Sequence, residues 1–274
     1  MTYKEAYEKG KNMIVSEEAG SEALLLLEYL MNTERNDLFI HPDRILDETK
    51  EKEYFDLIER RQKGEPVQYI TGRTFFYGLE FVCNRSVLIP RFDTEILVER
   101  IIKTAPFGLK LLDLCTGSGC IALAVKDQRK DLTVVGSDIS KEALDTAKVN
   151  REKLNLDAEF IQSDLFENIN EKFDIIVSNP PYIERKVIEG LEEQVKDFEP
   201  RSALDGGVDG LDFYRRIIKE APLHFVNDGR VMFEIGYDQK EGVSLLLEEN
   251  GYKEINTIKD LNGLDRVVTA VYER

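Results

Sequence analysis

The sequence predicts an α/β fold: a mostly parallel sheet with helices on both faces and an antiparallel C-terminal edge, preceded by a small all-helical unit. Three observations predict it. From Lys110 onward, short apolar runs alternate with segments of helical period, the pattern of parallel strands joined by crossover helices. A glycine loop, Asp113-Leu114-Cys115-Thr116-Gly117-Ser118-Gly119, closes the first of those runs. The last two strand-like runs, near Ile255 and Val267, are joined through Asn262-Gly263, a connection too short for a crossover, so they pair antiparallel.

In chain order, residues 1 to about 64 have a helical pattern, with Leu24, Leu27 and Leu30, then Tyr54, Phe55, Leu57 and Ile58, spaced for packed amphipathic helices. Gly64 ends the stretch. Phe75-Phe76-Tyr77 and Leu79 to Val82 pivot at Gly78 and read as a hairpin that links two units. Pro90 breaks the chain, and Asp93 is placed to cap a helix carrying Ile96, Leu97, Ile101 and Ile102. Strands follow at Leu111–Leu114, Thr133–Asp138, Phe160–Asp164 and Phe173–Asn179, with helices after Gly119 and from Ser140. A helix around Tyr214–Ile218, a strand at Arg230–Ile235 and a helix near Leu245 lead into the final pair.

The 274 residues suit one large domain, or a medium one with a small appendage. Acidic residues number 53 against 37 basic ones, a formal charge of −16, and that field repels phosphate backbones. Direct nucleic-acid binding is therefore not expected. Cys83, Cys115 and Cys120 form neither an even framework nor a C-x-x-C pair, which points to free thiols in a reducing compartment. The N-terminus has no apolar core segment, and no apolar run approaches the ~18 residues of a membrane span. A cytoplasmic protein without membrane attachment is expected. His41 and His224 stand far apart, and no Cys or His cluster has zinc-ligand spacing, so no metal is assigned.

The glycine loop places flexible backbone where a chain must turn tightly and approach a ligand. At the end of the next strand stands Asp138, positioned to accept hydrogen bonds from ribose hydroxyls. A tight strand-to-helix turn alone would account for Gly117 and Gly119; strand, glycines, helix and acid together imply a nucleoside-containing cofactor. The loop does not choose it, since Ala122 completes a spacing that a nicotinamide dehydrogenase also uses. Asp164 offers another acceptor, and Phe166 is expected beside an adenine ring, with core packing as its plain alternative.

The discriminating motif is Ser178-Asn179-Pro180-Pro181-Tyr182, directly after an apolar strand. Two prolines remove two donors and stiffen the loop, leaving acceptors free at the strand's carboxyl end. Such a site suits a planar NH2 group. The Asn179 side-chain oxygen and the Pro180 carbonyl each accept one hydrogen while Tyr182 packs on the flat face. Catalysis then rests on polarising and placing the nitrogen, and no general base is assigned.

At this point the chain resembles the peptide chain release factor glutamine methyltransferases, the PrmC or HemK family. The segments that carry the likeness are Arg61–Gly72, Val87–Glu95, the glycine loop, Asn179–Ile183, Phe198–Leu204, Asp209–Leu211 and Lys259–Val268, in order over nearly the whole chain. The resemblance implies a class I methyltransferase fold, Rossmann-like, at residues 93–274, a helical domain at 1–72 and a hairpin linker at 73–92. It implies S-adenosyl-L-methionine as methyl donor, S-adenosyl-L-homocysteine as product, and the Gly-Gly-Gln glutamine of class 1 release factors as acceptor. By position, Thr116, Gly117, Ser118, Gly119, Asp138 and Phe166 hold the cofactor together with Asn179, and Asn179, Pro180, Pro181 and Tyr182 hold the amide, with Asn179, Pro180 and Tyr182 as the catalytic set. Phe92-Asp93 departs from the family's usual Pro-Glu.

Rival readings are an N6-adenine methyltransferase of DNA or RNA, an enzyme modifying a ribosomal-protein glutamine, and a non-catalytic module on the same fold. Charge and the lack of a basic stripe interleaved with aromatics speak against the first. The acid-rich stretch from Glu184 to Glu199 reads as a solvated face. Cys115 and Cys120 read as packing residues, and Arg60, Arg61 and Lys63 as complements to a helix C-terminus. A monomer is expected.

Overall fold

A computed structural model describes residues 1–33 and 35–274. The chain forms two compact units, one of Met1–Arg73 with Glu193–Phe198, the other of Thr74–Glu192 with Glu199–Arg274.

The first unit is helical: α1 (Tyr3–Met13), α2 (Ala19–Met31), α3 (Arg35–Ile40), α4 (Glu48–Gln62) and α5 (Val67–Thr71). Thr2 opens α1 with a capping box, its hydroxyl accepting from Glu5 N at 3.2 Å while the Glu5 carboxylate accepts from Thr2 N at 2.8 Å. Leu24, Leu27, Tyr54 and Ile58 are buried together, and Leu30, Phe55 and Leu57 pack around them. Gly10 lets α1 approach α4, because a Cβ there would stand 2.3 Å from the Tyr54 hydroxyl. Arg60 and Arg61 do lie in the last turn of α4. Yet Arg61 is buried and paired with Glu22 at 2.8 Å, and Arg60 bonds Glu65 at 2.7 Å; specific carboxylates rather than the helix dipole alone hold both.

The second unit begins with the hairpin of β1 (Arg73–Phe76) and β2 (Leu79–Val82), turned by Tyr77 and Gly78 at φ 49° and 76°. Phe76 and Phe81 meet edge to face and are buried in this unit's core with Leu97 and Ile101. The hairpin is thus part of this core, not a free linker. Asn150 fastens it: the side chain accepts from Val82 N at 2.6 Å and donates to Val82 O at 3.1 Å and Ser118 O at 3.0 Å.

The remaining elements are α6 (Thr94–Thr104), β3 (Lys110–Leu114), α7 (Cys120–Gln128), β4 (Thr133–Asp138), α8 (Lys141–Leu154), β5 (Glu159–Gln162), β6 (Phe173–Ser178), α9 (Arg185–Ile188), α10 (Glu193–Lys196, in the first unit), α11 (Asp212–Glu220), β7 (Phe225–Glu234), α12 (Lys240–Glu249), β8 (Lys253–Lys259) and β9 (Asp265–Tyr272). The sheet order is β5-β4-β3-β6-β7-β9-β8. Its pairs are parallel from β5 through β7, and β9 runs antiparallel to both β7 and β8. Apolar cores cover both faces, which is why its central strands are continuous apolar runs. Strand order reverses between β3 and β6, and in open sheets of this kind ligands bind outside the carboxyl ends at that point.

Asp93 precedes α6 but makes no side-chain cap, contrary to the sequence expectation. Its backbone is already helical, at φ −61° and ψ −32°, and its carboxylate pairs with Arg266 on β9 at 3.1 Å. Among the described residues, no helix is long and apolar enough to cross a membrane, and no group of three or more His, Cys, Asp or Glu is set to hold a metal ion.

Candidate active site

A cleft of about 550 Å³ opens at the carboxyl ends of β3, β4 and β6, within the usual size of small-molecule sites. Its floor is the glycine loop. Cys115, Gly117 and Gly119 have φ of 58°, 55° and 78°, and this left-handed backbone carries the chain from β3 into α7. Gly117 has open space where a Cβ would point, whereas at Gly119 a Cβ would meet Phe160 at 2.9 Å and Ala147 at 3.2 Å. Gly117 therefore faces the cleft; Gly119, which does not line it, allows α7 to sit close to its neighbours.

Two carboxylates brace this loop. Asp113 is fully buried, accepts from the Thr116 hydroxyl at 2.6 Å and from Ala122 N at 3.3 Å, and burial pushes its pKa up to about 7. Asp138 accepts from Gly117 N and Ser140 N, both at 2.9 Å, which locks the first loop to the second. Its carboxyl also lies on the cleft wall, with its pKa raised by desolvation. Both cysteines beside the glycines are desolvated; Cys120 is pushed up to about 12 and Cys115 higher still, so they stay protonated and act as packing groups.

The walls fit a nucleoside that carries a positive charge. The Ser118 hydroxyl is buried with no partner, Asp138 and Asp164 present acceptors, and Ile139 and Leu165 offer apolar surface to a flat ring. Phe166 is not there, which corrects the sequence expectation. Leu165 takes φ 49°, and this turn sets Leu165 on the cleft wall and sends Phe166 into the core, where its ring stacks on His224 at 4.5 Å. Asp164 is held by Arg216 at 2.9 Å, and both line the cleft.

The Asn-Pro-Pro-Tyr loop leaves β6 opposite the glycine loop. Ser178 Oγ donates to Leu114 O at 2.7 Å, tying the two strand ends together. Asn179 and Pro181 line the cleft, while Pro180 and Tyr182 are set back from its wall. Asn179 Nδ2 donates to Thr94 Oγ1 at 3.2 Å, leaving the amide oxygen to the cleft. Tyr182 does not lie where the sequence reading put it: its ring packs on the core and its hydroxyl bonds Glu234 at 3.3 Å. Glycines back this loop. A Cβ on Gly206 would stand 2.6 Å from Tyr182 Cα, and one on Gly210 would stand 2.3 Å from Tyr182 O, so both glycines serve close backbone packing.

Four contributors were not found from sequence. Thr94 lies on the cleft wall beside Asn179. Glu234 is buried behind Tyr182. Arg91, also on the wall, is hydrogen-bonded to Glu199, which is buried rather than part of a solvated acidic face. Arg216 joins Asp164. Only the short polar residues inside apolar runs, such as Glu234 in Val231-Met232-Phe233-Glu234-Ile235, carried a signal that a buried charge was present.

Residues 91–195 match the Methyltransferase small domain family, and residues 8–72 match the PrmC N-terminal domain family. A Release factor glutamine methyltransferase of Clostridium acetobutylicum is 43% identical over 91% of this chain and 90% of its own length. Proteins of the same description from Geobacter sulfurreducens, 42% identical over 92% of this chain and 89% of theirs, and Bacillus subtilis, 39% identical over 94% of each, are equally complete matches. Among solved structures, a methyltransferase from Pyrococcus furiosus superposes with a TM-score of 0.57 at 18% identity over 73% of this chain and 91% of its own. A Thermus thermophilus 16S rRNA N2 G1207 methyltransferase in complex with AdoMet and guanosine gives 0.52 at 19% identity over 74% and 50%. These two share the fold.

Proposed function

The chain belongs to the release factor glutamine methyltransferases, and on that premise we propose that its cleft presents one glutamine side-chain amide, that of the Gly-Gly-Gln motif in class 1 release factors, for methylation on N5. The methyl donor is S-adenosyl-L-methionine. When bound, it supplies a methyl carbon made electrophilic by its sulfonium and leaves as S-adenosyl-L-homocysteine.

The observation that carries this reading is the position of Asn179 in the same cleft as the glycine loop and Asp138, with its Nδ2 already committed to Thr94. Its oxygen is the acceptor that a planar NH2 group needs, and of the two acceptors read from the sequence it is the one on the cleft wall, since Pro180 is set back. An amide nitrogen is a poor nucleophile because its lone pair is delocalised into the carbonyl. Drawing its N–H toward a fixed acceptor polarises it, and holding it in line contributes roughly 7–11 kcal/mol where a near-attack geometry is reached. The nitrogen gives up its proton to water as the new bond forms. Asp138 anchors the ribose, Gly117 admits the donor's backbone-facing atoms, and Ser118 finds a partner for its buried hydroxyl. Tyr182 acts from behind, as a positioning residue.

The protein acts on a protein surface, as a cytoplasmic monomer; the net charge of −16 opposes a nucleic-acid substrate. Methyl-labelled donor offered separately with an unmodified release factor, a ribosomal protein, DNA and RNA tests this. Label on the Gly-Gly-Gln glutamine is the expected result. Label on adenine or on the ribosomal protein instead would overturn it.

A further inference from the structure

We propose that Arg91 binds the α-carboxylate of the methyl donor, with its guanidinium held on the cleft wall by the buried carboxylate of Glu199. The proposal rests on the donor and on the placement read above for Asp138 and Asn179; it does not depend on which amide receives the methyl group.

Besides its sulfonium, S-adenosyl-L-methionine carries an ammonium and a carboxylate at the far end of its amino-acid chain. A cleft with Asp138 and Asp164 on its walls, in a chain of net charge −16, suits the two cations and repels the anion. A local cation has to offset that repulsion. The sheet decides where it is needed. Asp138, the ribose anchor, ends β4, and the apolar surface of Ile139 and Leu165 lies past the ends of β4 and β5. Asn179 follows β6, with β3 between β4 and β6. A donor with its ring on Ile139 and Leu165 and its methyl toward Asn179 therefore runs across the strand ends from β5 toward β6, and its amino-acid end falls on the β3–β6 side.

Among the described residues, the cations lining the cleft are Arg91, Arg185 and Arg216. Arg216 bonds Asp164 at 2.9 Å, just past β5, at the ring end. Arg185, on α9, gives its Nε to both oxygens of Asp205, at 2.9 and 3.3 Å. Arg91 stands at the other end. Its carbonyl accepts from Thr94 N at 3.1 Å, and the Thr94 hydroxyl accepts from Asn179 Nδ2 at 3.2 Å, so Arg91 lies one turn from the partner of Asn179. One terminal nitrogen of Arg91 bonds Glu199, whose side chain is 1% exposed against 41% for that of Arg91. A guanidinium has five donors in a planar fork. With one nitrogen committed to a buried anchor, the exposed remainder can grip a carboxylate by two hydrogen bonds, and the anchor has already removed much of the side chain's rotamer freedom.

Calorimetry on the full chain tests this without any acceptor, using S-adenosyl-L-homocysteine and its decarboxylated analogue, which keeps the nucleoside, the sulfur and the amine. The wild type should bind the first on the order of tenfold more tightly than the second. Arg91→Met keeps the apolar stem and drops the charge. It should lose that preference, weakening S-adenosyl-L-homocysteine on the order of tenfold and leaving the analogue within about twofold. Arg91→Lys, which keeps the charge without the fork, should retain part of the preference. The preference is a ratio measured in one protein, so a partly unfolded preparation does not imitate its loss. Asp138→Asn, by contrast, should weaken both ligands alike, since both carry the ribose. An equal loss for both ligands in Arg91→Met overturns the proposal. So does unchanged binding of both with a raised KM for release factor, which would assign the guanidinium to the peptide. Failure to label the release-factor glutamine would sink the functional reading and leave this ligand preference standing.

Discussion

The two halves of the cleft are built in opposite ways. The glycine-loop half is local: Asp113, Thr116 and Ala122 lie within ten residues and are joined by their own hydrogen bonds, with Asp138 added from the adjacent strand through Gly117 N. The Asn-Pro-Pro-Tyr half is assembled from afar. Thr94 comes from α6, Glu234 from β7, Gly206 and Gly210 from the segment before α11, and Gln239 donates to Tyr182 O at 2.8 Å from the segment after β7. A pocket for a constant cofactor can be held by backbone N–H groups of one loop. A pocket that must orient one amide needs side chains of fixed polarity, and few short segments supply them.

The comparison breaks first at Asn179. Asn179→Ala should abolish methyl transfer while S-adenosyl-L-homocysteine, measured by calorimetry, still binds within a few-fold; a large loss of cofactor affinity would mean the halves are not separable. Gly210→Ala comes next. Its φ of 74° and the 2.3 Å approach to Tyr182 O force the loop to shift, and a misplaced group of ~1 Å costs on the order of a hundredfold, seen in kcat rather than in cofactor binding. Asp138→Asn should do the reverse, weakening the cofactor on the order of tenfold, the loss of a charge-assisted hydrogen bond, with kcat at saturation far less affected.

Smaller effects sharpen the contrast through stability. Burial pushes the Glu234 pKa from 4.5 to about 7, so the native state retains a proton that the unfolded chain releases. The carboxyl therefore costs no stability below pH 4.5, and its cost grows as pH rises toward about 7 and is constant above. Glu234→Gln should accordingly be more stable than wild type at pH 8, by at most about 3 kcal/mol, and equal to it in acid, as urea titrations at the two pH values would reveal. A lower stability at pH 8 would show that the carboxylate is a net structural asset. Smallest at the active site is Phe166→Leu. This change should lower stability by roughly 1 kcal/mol through lost core packing and leave the cofactor's KM unchanged, because the ring lies against His224 rather than in the cleft.

Much of this protein is legible before any coordinates. Alternating periodicity is a local property, and it gives the strand and helix order; the short Asn262-Gly263 connection forbids a crossover and so dictates the antiparallel edge. Glycines and prolines constrain their own backbone, so the glycine loop and the Asn-Pro-Pro-Tyr loop declare themselves as turns at strand ends, and ordered motifs along the chain carry the family. Tertiary structure alone decided the rest. Which of two neighbours, Leu165 or Phe166, faces the cleft depends on the sign of one backbone angle. Whether Asp93 caps a helix depends on Arg266 lying on a strand that arrives much later in the chain. Glu199 looks in sequence like any surface acid, and only the fold shows it buried against Arg91; Glu234 stands in an apolar run that hints at burial, but only the fold sets it behind Tyr182. A hydrogen bond has a direction that both partners must agree on, and when the partners lie far apart in the chain no local pattern records that agreement.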